Sequence, residues 1–581
     1  MIPVFDIESV GWVNPIAVGF FDGFEYREFI RENEEDDVIW RFLCHLKDHH
    51  KGIKIYAHCA SKFDSKFILS SLHKHGQTAV PEAGMIRLRW KEPNICFEDS
   101  YLLLPMSLKR INVMFGVEEK GEWTKKFDVK PWEMGRQLRS FREYLKVDCL
   151  SLSHSLDKLC EELGKNFNIM PSISLSTTSV KAFDKVFFHV EDIASNENFE
   201  EFVRGAIYGG RNEVYKRYGT NINIYDVNSM FVSCYDTPVP TGKMYWTKPN
   251  LDSPDAVLAE ATVQVPKDFY IGPLPHKATD RLIFPVGEFT DWWDIEELRN
   301  AVGLGVDVIL RRQINGAKEP ILVDFGKVVT ALKNRGEEQR ELWKMFGLSL
   351  SGKFGQARWR DSIKYVDDVK NFEGYFPLDA EELYFQTKEY VSGRAPYIKP
   401  AVSMRIRSEA RIRHLNLILE AHKQGEVFYG DTDSIFTSTK MPVGKTPGDL
   451  EFLGRASRGY FIRQKLYATI QRGRMKQKSA GYSDLRLSEE DFLKLLVGES
   501  LEVKEEVLPP YKDIIKTKDL ELLKRTRKIR GTGPDSRIAV GLDTVPITLP
   551  KERKTISTPR IKEREEIAIP FKTTATDGPK S

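Results

Sequence analysis

Cysteine is scarce in this sequence, and neither sign of charge predominates. The 581 residues include six cysteines, with no CxxC pair and no regular spacing, which argues against a disulfide scaffold and favours reduced thiols. Lysine and arginine together number 87 against 84 acidic residues, a net charge of +3. Overall charge therefore does not indicate a nucleic-acid-binding protein, and any such surface must be local.

Long hydrophobic runs are also missing. None approaches the roughly 18 residues that a membrane-spanning helix needs, and the N-terminus enters a strand-like segment at once. We expect a cytoplasmic monomer with no membrane segment and no signal or transit peptide. With 41% hydrophobic and 29% charged residues, the chain has the balance of a globular protein, and its length predicts roughly three to five modules.

Hydrophobic periodicity changes along the chain. Short apolar strands alternate with helical stretches over residues 1–192, which predicts an α/β domain. Residues 237–323 read instead as strands separated by proline and glycine. After about Leu523 the sequence turns basic, and residues 531–581 contain so few apolar side chains that we expect a weakly ordered tail.

Two aspartates, one residue apart, stand in the segment VFYGDTDSIF at 427–436. Alternate residues of an extended chain point to the same side, so Asp431 and Asp433 are predicted to project from one face of a hairpin. Carboxylates that close repel each other unless a hard divalent cation such as Mg2+ neutralises them. The alternative is a type I′ turn in which these residues only shape the backbone.

A third carboxylate, Asp226, ends the strand-like segment NINIYD. With the hairpin pair it could form a two-metal site for phosphoryl transfer. Alternatively it serves only as a turn residue or helix N-cap.

A single long helix is predicted from about Asp324 to Leu350, and another over 403–425. One face of the long helix would present four polar residues whose positions around the helix axis differ by no more than about 20°: Lys333, Arg340, Lys344 and Ser351. Cations spaced in this way can neutralise successive phosphates of a triphosphate. A solvated charged face is the alternative.

The segments DVNSMFV, KMFGLSLSGKFGQ and YGDTDS occur in this order and resemble the palm and fingers motifs of family B DNA polymerases. The resemblance implies an α/β multidomain fold, in which a ribonuclease H-like 3′–5′ exonuclease domain precedes a right-hand polymerase. It implies that Asp226, Val227 and Asp433 bind metal, with Asp431 as a further catalytic residue. The implied nucleotide-binding residues are Phe231, Lys333, Arg340, Lys344, Ser349 and Ser351. The Phe231 ring would lie under the sugar and select deoxynucleotides.

The N-terminal domain has its own acidic residues, in VFDIES, HCASKFDSKF and YLKVD. These segments resemble the three exonuclease motifs of proofreading polymerases. The resemblance implies that Asp6, Glu8 and Asp148 bind metal, that Asp64 joins them as a catalytic carboxylate, and that Tyr144 orients the attacking water. The implied cofactor is Mg2+ or Mn2+, with two ions in each active site.

Three shorter motifs, SLKRI, IYGGR and IRQKLY, resemble the protein-primed branch of the family, found in bacteriophages with linear genomes, adenoviruses and linear plasmids. The residues that this resemblance assigns to DNA are Ser107, Leu108, Tyr208, Gly209, Gly210, Lys465 and Tyr467. The implied partners are template and primer DNA, deoxynucleoside triphosphates and a terminal protein as primer. The implied function is replication of a linear viral or plasmid genome, with proofreading and strand displacement.

The resemblance also implies a division of the chain into domains. The predicted units are the exonuclease domain (1–192), a linker with the first palm segment (193–241), a first insertion (242–325), fingers (326–356), a second insertion (357–392), palm (393–452), thumb (453–530) and a basic tail (531–581). The first insertion would bind the terminal protein, and the second would encircle DNA for processivity and strand displacement.

Four positions depart from the branch's usual residues. Cys59 replaces an Asn in the second exonuclease motif, and Ile207 replaces a Tyr before the two glycines. Leu348 and Ser351 replace an Asn and a Tyr beside the nucleotide. We expect slower excision and weaker nucleotide binding or lower fidelity.

These departures leave other functions open. The chain could be a catalytically weakened homologue that acts as a DNA-binding factor, an exonuclease whose C-terminal half only grips DNA, or a family B enzyme that extends ordinary primers. Basic residues in KRTRKIR and ARIRHLNLILEAHK predict DNA binding that weakens steeply with salt.

Overall fold

The computed structural model describes residues 1–82, 86–117, 127–278, 281–369, 374–390, 397–481, 485–532 and 535–549. No helix in these ranges is both long and apolar enough to cross a membrane. The elements of the N-terminal part are β1 (Val4–Val10), β2 (Asn14–Phe21), β3 (Tyr26–Ile30), α1 (Val38–His49), β4 (Lys54–Ala57), α2 (Asp64–Lys74), β5 (Ala79–Glu82), β6 (Arg87–Trp90), β7 (Ile95–Asp99), α3 (Leu108–Phe115), α4 (Leu138–Phe167) and α5 (Leu175–Val186).

The N-terminal domain is α/β, as the alternating pattern predicts. Its seven strands form one mixed sheet in the order β3-β2-β1-β4-β7-β6-β5. Helix α4 lies against β1 and β2, and Gly19 of β2 makes this close approach possible. A β-carbon at Gly19 would lie 2.8 Å from the Cys149 sulfur and 2.9 Å from Cγ of Leu145. The sheet and α4 therefore hold the acidic residues of β1 and α4 near one another.

The middle of the chain contains α6 (Glu200–Gly205), β8 (Asn212–Val214), β9 (Tyr218–Val227), α7 (Met230–Ser233), β10 (Val239–Pro240), β11 (Tyr245–Thr247), β12 (Ala256–Val265), β13 (His276–Lys277), β14 (Leu282–Ile283), β15 (Val286–Asp294), α8 (Ile295–Gly303), β16 (Asp307–Asn315), β17 (Lys318–Glu319), α9 (Val323–Lys333), α10 (Arg340–Phe354), β18 (Trp359–Tyr365), β19 (Tyr375–Pro377) and β20 (Tyr384–Tyr390).

The C-terminal part contains α11 (Pro400–Gln424), β21 (Val427–Asp431), β22 (Ser434–Thr437), β23 (Leu450–Arg463), β24 (Leu466–Gln471), β25 (Arg474–Ser479), α12 (Glu489–Leu496), β26 (Ser500–Val507), α13 (Tyr511–Thr517), β27 (Leu523–Arg530), β28 (Arg537–Val540), β29 (Asp543–Pro546) and β30 (Thr548–Leu549). A second seven-stranded sheet runs in the order β25-β24-β23-β9-β22-β21-β8. This central sheet includes β23, β24 and β25, the last of which ends at Ser479. The predicted palm–thumb boundary at 453 therefore falls inside β23.

Two smaller sheets lie within the residue ranges predicted as insertions. The first insertion (242–325) contains strands β11, β16, β12 and β15 of a five-stranded sheet. The second insertion (357–392) contains the three-stranded sheet β18-β20-β19. Its Tyr384 is buried in the same hydrophobic core as the N-terminal domain, and the Tyr384 hydroxyl accepts a hydrogen bond from the backbone N–H of Ala79 at 3.3 Å.

The prediction of one long helix is wrong. Helix α9 ends at Lys333 and α10 begins at Arg340, because the intervening NRGEEQ has no apolar side chain to bury. The two helices pack closely, and a β-carbon at Gly347 would lie 2.7 Å from Cγ1 of Val329. The four residues of the predicted stripe therefore belong to two helices.

The prediction of a weakly ordered tail is wrong for residues 535–549. Strands β28 and β29 form a hairpin, and β30 pairs with β15 of the first insertion. Arg537 and Thr544 of the hairpin are buried, and Oγ1 of Thr544 donates to the carbonyl of Val214 at 2.7 Å. Polar contacts with the central sheet hold this segment, so its low apolar content was a poor guide. Residues 550–581 lie outside the described residues.

Candidate active sites

Strand β9 and the β21–β22 hairpin bring the first acidic cluster together. Asp226 lies opposite Ser434 in the β9–β22 pairing. The backbone N–H of Val227 donates to the carbonyl of Asp433 at 2.8 Å. The two predicted metal-binding aspartates, Asp226 and Asp433, therefore lie on adjacent backbone segments at the same end of the central sheet.

The turn that carries Asp433 is tighter than a type I′ turn. The backbone N–H of Asp433 donates to the carbonyl of Asp431 at 2.6 Å, which makes a γ-turn centred on Thr432. Thr432 has φ 63°, and Asp433 has no positive φ, whereas a type I′ turn needs two. Positive φ is strained in a β-branched residue, and the hydrogen bond from the Thr432 N–H to the carbonyl of Arg211, at 2.7 Å, stabilises it.

Burial raises the pKa of both aspartates. Burial, and then the charge of Asp433, raise the pKa of Asp226 to about 7. Burial also raises the pKa of Asp433, while the Lys344 ammonium acts in the opposite direction. Nζ of Lys344 lies 4.0 Å from Oδ2 of Asp226. Carboxylates whose charged forms are disfavoured in this way gain from a cation between them, and an all-oxygen donor set suits Mg2+.

Asp431 differs from its two neighbours because its charge is already paired. Oδ1 of Asp431 lies 2.9 Å from Nζ of Lys465, and Oδ2 lies 3.5 Å from Nζ of Lys478. The side-chain amide of Asn212 donates to Oδ1 at 3.0 Å. Lys478 and Asn212 were missed by the sequence motifs, because each approaches Asp431 from a strand distant in sequence.

The structure divides the predicted nucleotide-binding residues. Arg340 and Lys344 are partly exposed and lie one turn apart at the start of α10. Lys333 is instead buried, and its ammonium donates to Oδ1 of Asn228 and, at 2.8 Å, to Oγ of Ser229. Burial, followed by the charges of Arg340 and Lys344, lowers the pKa of Lys333 to about 8. Lys333 therefore supports the turn after Asp226.

The two serines of α10 are turned toward the helix. Ser349 donates from Oγ to the carbonyl of Phe346 at 2.9 Å. Ser351 is buried and contributes no exposed hydroxyl to a phosphate stripe. The stripe predicted from helical spacing is thus reduced to Arg340 and Lys344. Phe231 is half-buried in the short helix α7, just after β9.

The second acidic cluster lies in the N-terminal domain. Ligand atoms of Asp6, Glu8 and Asp148 all lie within 4.8 Å of one another. Asp6 and Glu8 point to the same side of β1, and Asp148 comes from α4. Oδ1 of Asp64, the first residue of α2, accepts the backbone N–H of Ile7 at 3.0 Å. Four carboxylates from three elements therefore converge, a donor set that suits hard divalent cations.

Burial dominates the electrostatics of this cluster. Burial, and then the charge of Asp6, raise the pKa of Asp64 well above its ordinary value. Burial also raises the pKa of Tyr144, with Glu8 and Asp148 adding to the effect. Tyr144 stands one helical turn before Asp148, so a neutral phenol faces the carboxylates and can donate a hydrogen bond.

Comparison with known proteins shows which family this chain resembles. Residues 116–392 match the family described as DNA polymerase type B, organellar and viral. The fold is similar to that of Phi29 DNA polymerase complexed with primer-template DNA and incoming nucleotide substrates, with a TM-score of 0.69 over 90% of this chain and 99% of that one. The chain therefore resembles family B DNA polymerases in sequence over residues 116–392. At 17% identity the structural likeness shows the fold alone, and it confirms the predicted fold class.

Two curated relatives agree with this placement. A probable DNA polymerase of Ascobolus immersus is 26% identical over 50% of this chain. The DNA-directed DNA polymerase of Enterobacteria phage PRD1 is 25% identical over 37% of it. The matched segments cover only 29% and 35% of the two relatives, so the chain spans about a third of the length of each.

The glycines of the IYGGR motif have a structural use. A β-carbon at Gly210 would lie 2.7 Å from the Thr432 side chain, so this glycine lets the loop approach the acidic hairpin. Tyr208 is buried, and its hydroxyl donates to the carbonyl of Trp292 at 2.8 Å. Gly209 is exposed. Only part of the motif is therefore accessible to DNA.

The other predicted DNA contacts are similarly mixed. Ser107 is exposed and caps α3 by accepting the backbone N–H of Arg110, whereas Leu108 is buried. Lys465 is exposed at the β23–β24 turn beside Asp431. The Tyr467 ring is partly buried, 5.0 Å from the Tyr429 ring.

Arginines in both basic segments predicted from sequence form ion pairs with acidic residues. On α11, Arg411 is buried against Glu297 at 2.7 Å, so the helix ARIRHLNLILEAHK is not an open cationic surface. The basic strand β27 pairs with the acidic strand β26 along its whole length. Nε of Arg527, for example, lies 2.7 Å from Oε1 of Glu505. Lys524, Arg525, Lys528 and Arg530 of β27 nevertheless remain exposed, so the fall of DNA affinity with salt stays a prediction.

Proposed function

We propose that this chain is a DNA-directed DNA polymerase with a separate 3′–5′ proofreading exonuclease. The observation that carries the proposal is the pairing of Asp226 and Asp433 at one end of the central sheet. Lys344 approaches that pair to 4.0 Å, within a fold similar to Phi29 DNA polymerase. The family and the named polymerases among its relatives support the same reaction class.

The residues divide the nucleotidyl transfer among them. Arg340 and Lys344 would bind the triphosphate, and Phe231 would contact the sugar and disfavour a ribose hydroxyl. Asp226 and Asp433, with the carbonyl of Val227, would hold Mg2+ or Mn2+. When bound, such ions supply positive charge at the attacking and leaving oxygens of phosphoryl transfer. Asp431 would act by fixing Lys465 near the primer end, since its charge is already paired.

Excision would use the N-terminal cluster. Asp6, Glu8 and Asp148 would hold the divalent cations, while Asp64 would position the middle of β1 through the backbone of Ile7, between Asp6 and Glu8. The neutral hydroxyl of Tyr144 would orient the water that attacks the terminal phosphodiester. Two separate acidic clusters allow synthesis and excision to be removed independently.

Protein priming and strand displacement are part of the same proposal. The first insertion exposes about half of Tyr245 and Trp246 on its sheet, a surface suited to a protein partner such as a terminal protein. The second insertion exposes Trp359 and Tyr390, whose ring centroids lie 4.9 Å apart. Exposed aromatic rings are platforms on which single-stranded bases stack, which supports a role in holding a displaced strand of a linear genome.

A primed-template extension assay tests the proposal. The full chain, with Mg2+ and four deoxynucleoside triphosphates, should extend the primer and displace a downstream strand. Asp433→Ala should abolish extension and leave degradation, and the double change Asp6→Ala with Glu8→Ala should do the reverse. The matched control is Asp268→Ala, which removes an exposed carboxylate of the first insertion far along the chain from both clusters.

Two results would contradict the proposal. Normal extension by the Asp433→Ala chain would place synthesis elsewhere. Degradation without any extension by the native chain would favour the weakened homologue that acts as an exonuclease. For priming, deoxynucleotide transfer to a protein hydroxyl in the absence of a nucleic-acid primer is the expected result.

A further inference from the structure

A cavity lined by arginines lies next to the end of strand β23 in the central sheet. It has a volume of about 420 Å³. Five arginines and one aspartate are the charged residues that line it: Arg217, Arg281, Arg463, Arg530, Arg537 and Asp535. They come from the central sheet, the first insertion, β27 and the C-terminal segment. The C-terminal segment that supplies two of them lies beyond the part of the chain that the sequence motifs cover.

Two of these arginines are held rigidly inside the protein. Arg217 is 5% exposed, and its guanidinium donates to the carbonyls of Leu495, Leu496 and Gly531 at 2.9–3.2 Å. Arg537 is 4% exposed and donates from Nε to Oγ1 of Thr544 at 2.8 Å. Burying guanidinium groups is costly unless an anion compensates for them, so their number here requires an explanation.

The compensation within the described residues is incomplete. Buried Nε of Arg217 and Nη1 of Arg537 have no hydrogen-bond partner there. Nη1 of Arg537 forms an ion pair with Oε1 of Glu213 at 3.6 Å, while Oε2 of Glu213 pairs with Arg211 at 2.5 Å. The cavity lining thus holds five arginines against one aspartate, and Nε of Arg217 is a buried donor without an acceptor among the described residues. An anion with several oxygens satisfies both conditions.

The position of the cavity identifies the source of that anion. Arg463 in its wall stands two residues before Lys465, which pairs with Asp431. Ser536 and Gln464 both donate to the carbonyl of Asn212, at 3.3 and 2.7 Å, and the side chain of Asn212 bonds to Asp431. One short hydrogen-bonded chain therefore connects the cavity with the hairpin that receives the primer end.

We propose that this arginine cavity binds a phosphate of the DNA strand that enters or leaves the synthesis site, as an anchor upstream of the primer end. The proposal deepens the polymerase function and rests on it. Phosphate groups are matched by guanidinium forks, and each neutralised phosphate contributes to affinity without reading sequence. Residues 535–549 would then serve to close the cavity, which explains why this polar segment packs on the central sheet.

The test is equilibrium binding of a labelled primer–template to the full chain, without divalent cations or nucleotides, so that neither reaction proceeds. Arg281→Gln combined with Arg530→Gln removes two wall charges that are partly or fully exposed, leaving buried Arg217 and Arg537 in place. The control combines Arg311→Gln with Lys494→Gln, an exposed and a partly exposed cation outside the cavity. Thermal unfolding of every variant checks the fold.

The cavity variant should bind about tenfold more weakly at 0.1 M salt, and its log–log salt slope should fall by about one to two. The control should match the native chain. Thymidine monophosphate, titrated calorimetrically, distinguishes a free nucleotide from a DNA phosphate. Heat of binding in the native chain but not in the cavity variant, with DNA affinity unchanged, would show that the cavity binds a free nucleotide and would overturn its assignment to a DNA phosphate.

Equal DNA binding by native chain and cavity variant, with no nucleotide heat, would overturn the site itself while leaving the polymerase proposal intact. A native chain that binds no primer–template at all would instead overturn the proposed function. The two failures are therefore distinguishable.

Discussion

Nζ of Lys465 lies 2.9 Å from Oδ1 of Asp431, so one carboxylate of the acidic hairpin already forms an ion pair with a lysine side chain. Asp433, two residues later, is paired by no such lysine contact among the described side chains, and its pKa is raised. The two aspartates are equivalent in sequence spacing but differ in environment. We therefore expect them to have separate roles.

Exchange of each aspartate for its amide tests those roles. Asp431→Asn keeps the shape and the neutral hydrogen bonds around Asn212 and should slow extension by about 10²-fold. Asp433→Asn removes a charge needed for cation binding and should reduce extension below detection. Single-turnover extension rates provide the measurement. An equal loss in both variants would contradict the assignment of Asp431 as a positioning residue.

Lys344 and Lys333 should respond differently to loss of charge. Lys344→Met should raise the KM for deoxynucleotides by about tenfold or more, because a charge-assisted phosphate contact is lost. Lys333→Met should leave KM nearly unchanged and lower kcat, since Lys333 contacts the turn after Asp226. Steady-state extension kinetics separate the two parameters. A large KM increase in the Lys333 variant would instead mean that Lys333 contacts the nucleotide phosphates.

Gly19→Ala should impair excision more than synthesis. The added methyl would meet Cys149 and Leu145 at 2.8 and 2.9 Å, which forces α4 away from the sheet at a cost of about 1–3 kcal/mol. Degradation of single-stranded DNA, urea denaturation and primer extension should be measured together. Gly164→Ala is the matched control. Gly164 lies on α4, and a β-carbon there would meet nothing within 4 Å. Unchanged excision in Gly19→Ala would mean that α4 tolerates displacement.

Cys59→Asn should stabilise the N-terminal domain. Cys59 has φ 64°, a left-handed conformation that asparagine adopts more readily than cysteine. A gain of about 0.5–1 kcal/mol is expected, together with faster excision if the amide reaches the DNA strand. Cys59→Ala, which lacks the amide, is the comparison. A loss of stability in Cys59→Asn relative to Cys59→Ala would contradict the conformational argument.

Acid should destabilise the chain through His73. Burial lowers the pKa of His73 from 6.5 to about 4, so between these values the unfolded chain binds a proton that the folded chain does not. The free energy of unfolding therefore falls as pH decreases from 6.5 toward 4, by about 2 kcal/mol at pH 5 from this residue, and is insensitive to it above pH 7. Urea denaturation at pH 7.5 and 5.0 measures the change.

His73→Gln removes the titrating group and should flatten this pH dependence by a similar amount. His154→Gln, at an exposed position of α4, should leave it as in the native chain. A steep acid loss that persists in His73→Gln would assign the effect to other groups.

Several features of this protein were determined by the sequence alone. The alternation of strands and helices over the first 192 residues predicted the N-terminal sheet, because hydrophobic periodicity is a local property. The helix at 403–425 and the acidic hairpin at 427–436 also appear where the sequence predicts them. Asp6, Glu8 and Asp148 were associated by motif, and the structure brings their ligand atoms within 4.8 Å.

Tertiary structure decided which face of each element is covered. Helical spacing placed Lys333 and Ser351 on an open stripe, yet α9 and α10 are separate helices and both residues are buried. The basic residues of α11 and β27 form clusters in the sequence, but Arg411 and Arg527 pair with carboxylates that lie elsewhere in the chain. Lys478, Asn212 and the arginine cavity likewise depend on contacts between remote segments. Local patterns specify secondary structure, whereas burial and charge pairing are set by which distant residues the fold brings together.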